Sequence, residues 1–251
     1  MKKILFVATM LAMVLSLSAQ RQMYVWQDGV KTTYEVANVD SITFGKVENP
    51  DPNTGATGSE NGYEYVDLGL SVKWATCNVG ATKPEEYGDY FAWGETQPKR
   101  NYDWSTYKWC NGSYDTQTKY NTNSSYGTVD NKTTLDLIDD AARANWGGNW
   151  RMPTTEEQQE LIDNCTWTWT TQNGVNGYKV TGTNGNSIFL PAAGDRYDRS
   201  LGDAGYLGYY WSSSLNTGSP RSAWSVDFYS GYVGRYSYER YYGFSVRPVC
   251  Q

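Results

Sequence analysis

From Tyr63 to its end this chain is written in short β-prone runs, cut every few residues by Gly or Asn and carrying aromatic side chains throughout. Each such break invites a turn before a sustained apolar rhythm can build. Many short strands and long loops are therefore expected. One helix interrupts the pattern. Pro153-Thr154-Thr155-Glu156-Glu157 supplies its start, with Thr154 or Thr155 as the cap and acids in the first turn, where the helix dipole favours them. Leu161 and Ile162 give it an apolar face. A second helix is predicted over Leu135 to Asn145, where Leu135, Ile138, Asp139 and Ala142 recur three and four apart. Toward the end, Trp224, Val226 and Phe228 alternate with Ser225 and Asp227, and Phe244, Val246 and Pro248 alternate with Ser245 and Arg247. Period two predicts strands with one face to the core and one to water. With Val233 between them, these runs predict a terminal antiparallel meander and a chain that ends inside a sheet. The expected class is α+β, β-rich with one or two short helices and long loops.

Three segments precede that domain. Met1, Lys2 and Lys3, the apolar run Ile4 to Leu17 and the small residues Ser18 and Ala19 form a secretory signal, with cleavage expected after Ala19. The run falls short of the ~20 residues a bilayer-spanning helix needs, so the mature chain is not expected to span a membrane. No cysteine lies nearby to carry a thioether lipid. Residues 20–45 read as short β segments: Met23 to Trp26, a turn at Asp28-Gly29, Thr32 to Val36, and Ile42 to Phe44. Asp-Gly between β-rich runs signals a hairpin. Residues 46–62 turn to Pro, Asn, Gly, Thr, Ser and Glu and read as a flexible linker before the domain at 63–251.

Composition narrows the chemistry. The chain has no histidine, which removes the usual general base and the commonest metal ligand. No Ser-His-Asp or Cys-His site can be assembled, and no CxxC pair suggests a zinc knuckle. Carboxylate-pair hydrolysis is the one common catalytic class left open. With 21 basic against 27 acidic residues and no basic stripe, nucleic acid is not an expected partner. Cys77, Cys110, Cys165 and Cys250 permit two disulfides in any of three pairings, and equally permit buried free thiols.

Two stretches resemble known families. Tyr65-Val66-Asp67-Leu68-Gly69-Leu70, Trp74-Ala75-Thr76-Cys77-Asn78-Val79-Gly80-Ala81 and Gly88-Asp89-Tyr90-Phe91-Ala92-Trp93-Gly94-Glu95-Thr96 resemble the major paralogous domain family, an exported module of gut bacteria. Trp150-Arg151-Met152-Pro153-Thr154 with Glu157 is similar to the Arg-Leu-Pro-Thr signature of the formylglycine-generating enzyme superfamily, which implies a C-type lectin-like fold over residues 63–251. Gln158 stands where that pattern usually has Trp. The superfamily's oxidase needs two late cysteines, and only Cys250 is late, so the resemblance does not extend to that activity.

Phe189 to Gly194, Tyr210-Trp211-Ser212-Ser213-Ser214 and Gly243 to Val249 resemble the variable region of diversity-generating retroelement target proteins. In that family adenines of Asn codons are randomised, so surface positions change between fixed core residues. Changing the adenines of AAC cannot give Lys, Glu, Gln, Met or Trp, and it depletes Asn. Residues 1–186 hold seventeen Asn and residues 187–251 only Asn216, where equal density would give about six. Ten of the 22 tyrosines fall in residues 195–242, the candidate variable region. Glu239 is unreachable from AAC, so either that position was no template Asn codon or the diversification reading fails there.

The expected ligand-binding residues are Tyr229, Tyr232, Tyr236, Ser237, Tyr238, Tyr241 and Tyr242, joined by Asp195, Tyr197, Asp198, Asp203, Tyr206 and Tyr209 from a Gly-rich stretch. Tyrosine offers a large amphipathic contact with few torsions to freeze, while Ser and Gly supply adaptable hydrogen bonding. The acids lack the spacing of a calcium loop, and neither metal nor cofactor is expected. The reading is an exported, non-enzymatic binder of a protein or glycan on another cell, phage or host. Its alternatives are an enzyme (a divergent oxidase, or a hydrolase using Asp195 and Asp203) and a structural surface component. The exported protein should begin at Gln20 without acyl chains; intact-mass spectrometry checks this, and a mass retaining the leader would refute it.

Overall fold

A computed structural model describes residues 55–251 and, as backbone alone, strands β1 (Gln22–Gln27) and β2 (Val30–Glu35). These two pair antiparallel from Gln22↔Glu35 to Gln27↔Val30, leaving two residues to join them, as the Asp28-Gly29 signal predicts. The leader and the strand expected at 42–44 lie outside the described residues. The chain divides into units 1–47 and 48–251, and everything below concerns the second.

That unit is β-rich α+β, built from several small sheets. Strands β3 (Gly58–Glu60), β4 (Tyr63–Val66), β5 (Lys73–Ala75) and β14 (Val249–Cys250) form one sheet in the order β14-β5-β4-β3. Composition placed residues 58–60 in the linker, yet they are a strand. The reason is Asn61-Gly62, whose positive φ values of 47° and 83° close a two-residue hairpin between Glu60 and Tyr63. At the other end, Val249 pairs with Trp74, so the chain does finish inside a sheet, though not in the meander. Strands β6 (Thr166–Gln172), β7 (Val175–Thr181) and β8 (Ser187–Pro191) make a second sheet, and β9 (Asp195–Tyr197) with β10 (Ser200–Gly202) a short hairpin. The expected meander is β11 (Leu207–Leu215), β12 (Ser222–Tyr229) and β13 (Tyr232–Glu239).

The helix Thr155–Asn164 begins where its sequence says it should. Thr154 Oγ1 accepts from the Glu157 amide while the Glu157 carboxylate accepts from the Thr154 amide, a full capping box. The second helix departs from expectation. Residues Leu137–Asp139 form a 3-10 turn and the α-helix is only Ala141–Trp146, because Asp140 turns its carboxylate onto the Arg143 amide and starts a new helix. Ile138, read as core-facing, is 80% exposed.

Aromatic side chains fill the interior. Trp93, Trp150 and Trp211 are wholly buried in one cluster with Phe91, Phe244 and Val246, while Val66, Leu68, Val180, Ile188, Val226 and Phe228 form a second. Trp224 is only half-buried, with the Arg235 guanidinium 5.8 Å from its ring, so the core-facing row of β12 is Val226 and Phe228. The tail differs most from a half-exposed strand. Phe244 pairs with Phe91 and Ser245 with Tyr210, so the segment threads between elements and both its faces are covered. Arg247, expected to face water, is 1% exposed. Its Nε donates to Asn78 Oδ1 at 2.8 Å, Nη1 to the carbonyls of Ala75 and Thr76, and Nη2 to the carbonyl of Phe189. All four cysteines are free thiols, with Cys77 and Cys250 buried. Substituting Arg247→Met keeps an unbranched apolar stem but removes four donated hydrogen bonds from buried acceptors, so it should cost more than about 3 kcal/mol in a denaturant melt. A loss under about 1 kcal/mol would show that the tail is held by packing alone.

Candidate ligand-binding face

Register places the tyrosines. In β11-β12-β13, Leu207 lies opposite Tyr229 and Tyr229 opposite Tyr232; the next row on that face is Tyr209, Asp227 and Gly234; then come Trp211, Ser225 and Tyr236, and last Ala223 and Tyr238. The opposite face carries Tyr210, Phe228 and Val226 into the second cluster. Ser237 shares that inner side, where its hydroxyl accepts from Asn216 Nδ2 at 2.9 Å, so it is not part of the tyrosine face. Gly234 matters to the face. A Cβ there would sit 2.2 Å from the Tyr232 hydroxyl, so the bare backbone lets the Tyr232 ring lie along the sheet.

Their placement divides the remaining expected residues into groups. Tyr229, Tyr232 and Tyr236 are 50%, 42% and 60% exposed, with the first two stacked at 5.3 Å. Asp195, Tyr197, Asp203, Tyr209, Tyr238 and Tyr242 line a cavity of about 280 Å³ together with Phe244. Besides Ser237, three remain outside both groups. Tyr241 is buried against Tyr90, Tyr102 and Tyr107, so it is a core residue. Asp198 serves by its backbone, exchanging both hydrogen bonds with Tyr102. Tyr206, 75% exposed, tops the turn that follows Asp203.

The cavity is an aromatic bowl with acids beside it. Phe244 stacks on Trp211 at 4.3 Å and on Tyr209 at 4.8 Å, while Tyr238 meets both Tyr209 and Phe244 edge-on at 5.3 Å. Tyr197 and Tyr242 complete it, 5.3 Å apart. The Tyr238 hydroxyl donates to Asp227 Oδ2 at 3.1 Å, whereas Asp227 Oδ1 is buried with no hydrogen-bond partner. Burial, and then the neighbouring Asp203 charge, raise the Asp195 carboxyl above its ordinary value. Burial likewise raises the phenols of Tyr209, Tyr238 and Tyr242, which keeps them protonated and able to donate. Among the described residues, no three of His, Cys, Asp or Glu gather closely enough to hold a metal ion.

Sequence reading missed two features. Phe244 belongs to the core, as its alternation predicts, and it is also the floor of the bowl. A second cavity, about 650 Å³, is lined by Tyr90, Lys99, Arg100, Arg196 and Arg199, so Arg196 faces it while its neighbours Asp195 and Tyr197 face the bowl. Its basic residues come from segments about a hundred positions apart, which no local charge run could reveal.

The family described as the Lcl C-terminal domain matches residues 66–250. The chain belongs to that family. No curated protein and no solved structure matches it. The Lcl C-terminal domain match runs from β4 through β14, so it contains both cavities and the whole tyrosine face.

The electrostatics of the bowl carry a stability signature. Because the folded Asp195 value is raised, its charged form penalises the fold at neutral pH; the penalty fades as pH falls through the folded value and is gone below the unfolded value near 3.8. Asp195→Asn should therefore be more stable than the parent at pH 7, with the difference shrinking toward pH 3.5. Thermal melts across that range decide the matter, and a destabilised Asn variant at pH 7 would mean that the carboxylate holds the fold together.

Proposed function

We propose that the chain is an exported, non-enzymatic binding protein whose tyrosine face engages a protein or glycan on another cell, phage or host. The carrying observation is the row structure of the meander: Tyr229, Tyr232 and Tyr236 stand exposed on one sheet face, continuous with the bowl at Tyr209 and Tyr238. Exposed tyrosines cluster in this way on recognition surfaces because each contributes contact area at small entropic cost. Membership of the Lcl C-terminal domain family supports a surface or ligand-binding protein. Diversification of residues 195–242 is part of the proposal. It is supported by the segregation of exposed tyrosines from buried Trp211, Phe228, Phe244 and Val246, since the former can change without disturbing the latter. A C-type lectin-like fold fits the same reading.

The hydrolase reading has one observation in its favour, the raised Asp195 carboxyl beside Asp203. Loss of bound glycan with release of new reducing ends would favour it over binding.

The test pairs a surface variant with a core variant. Replacing Tyr229, Tyr232 and Tyr236 together by Asn should cost at most about 1.5 kcal/mol of stability, at ~0.5 kcal/mol for each exposed site. Phe228→Ala should cost about 3–5 kcal/mol. Binding to fixed cells or a glycan array should fall at least about tenfold in the triple variant. A triple variant that unfolds as readily as Phe228→Ala, or that binds like the parent, would remove the proposed face.

A further inference from the structure

The bowl is unusual in its charge balance. Its lining residues are two carboxylates, four phenols or phenyl rings of the sheet and tail, and Tyr197, with no lysine or arginine among them. No ion pair within 4.0 Å reaches Asp195, Asp203 or Asp227 among the described residues, although the chain pairs Asp136, Asp139 and Glu157 with cations elsewhere. The nearest cationic neighbour in sequence, Arg196, points into the other cavity and lies 5.3 Å from the Tyr90 ring. Asp227 Oδ1 is withdrawn from solvent without any donor, directly beside Tyr209 in the register and under the Tyr238 hydroxyl. Negative charge is thus concentrated at an aromatic hollow and left unpaired.

Aromatic faces are electron-rich, and a cation set against several of them is attracted by each ring, most strongly when water is excluded. Carboxylates at the same hollow add a long-range pull and hydrogen-bond acceptors. An anionic guest would meet the opposite field, and a neutral sugar would leave the charge uncompensated. At about 280 Å³ the hollow is at the small end of ligand cavities, sized for one side-chain-like group and not for a chain of sugars.

Resting on the binding-face reading above, we infer that this bowl receives an alkylammonium group of its ligand, held over Tyr209, Tyr238, Tyr242 and Phe244 with Asp195 and Asp203 as its counter-charges. The exposed row Tyr229, Tyr232 and Tyr236 then contacts the rest of the ligand.

The purified protein is titrated by saturation-transfer NMR with choline, with Nα-acetyl-lysine N-methylamide, and with 3,3-dimethylbutan-1-ol, the uncharged shape-mimic of choline. At least one ammonium probe should bind saturably and at least about tenfold more tightly than the neutral alcohol. Comparing choline with the lysine amide tells a quaternary headgroup from a primary amine. Asp203→Asn, at an exposed position whose φ of 55° asparagine tolerates, should weaken that binding about tenfold with the melt unchanged. Tyr242→Ala should weaken binding likewise while also lowering the melt, because its ring packs on the core, and the exposed Asp203→Asn keeps the test informative if that variant folds poorly. Equal binding of the neutral alcohol, no saturable ammonium binding, or an Asp203→Asn variant that binds like the parent would each overturn the inference. If the parent still binds cells through Tyr229, Tyr232 and Tyr236 while no ammonium probe is taken up, the cation site fails and the tyrosine face stands.

Discussion

A guanidinium buried without a carboxylate partner governs how this domain is assembled. Burial disfavours the Arg247 charge and lowers its pKa, and no acid faces it to offset that cost. What compensates is a set of backbone carbonyls at Ala75, Thr76 and Phe189 with the amide oxygen of Asn78. Those acceptors come from two places far apart in the chain, the stretch from the end of β5 into the loop after it and the middle of β8. The cation therefore sits correctly only when the first sheet, the second sheet and the tail are all in place. Arg240, also wholly buried, repeats the device, donating to the carbonyls of Lys119 and Tyr120 and lying 5.4 Å from the Trp93 ring. Both arginines flank the segment that carries Tyr242 and Phe244, so the geometry of the bowl depends on them.

Much of the meander could be read directly from residues. Period-two alternation placed Val226 and Phe228 inward, and the density of tyrosine and glycine between Phe228 and Gly243 marked the surface. The Thr154–Glu157 box was equally plain, because a capping interaction is local and needs no partner outside its own turn. Reading failed where a side chain's fate depends on a distant element. Alternation told which residues share a side, and it did not tell what covers the other side. Alternation alone therefore predicts solvent for Ser225, Ser245 and Arg247, all of which are buried, and composition groups Ser237 with tyrosines that point the opposite way. At Asp140 the apolar rhythm runs straight through a residue whose amide closes one turn on the Leu137 carbonyl and whose carboxylate begins the next helix.

Antiparallel pleating is what allows this surface to be chemically bold without endangering the fold. Residues on one side of β12 and β13 bind the second core cluster, and those on the other project Tyr229, Tyr232 and Tyr236 from a backbone already fixed by its ladder. A change at an exposed tyrosine removes contact area from a ligand and almost none from the core. The bowl lies between these extremes. Tyr209, Tyr238 and Phe244 brace one another ring to ring, so they serve packing and recognition together, and substitutions there affect both. Asp195 and Asp227 press harder still, since each is a partly buried carboxyl whose charge the fold disfavours. Asp195 and Asp203 line the hollow with no lysine or arginine beside them, so a cationic guest would supply the opposite charge that the hollow itself lacks.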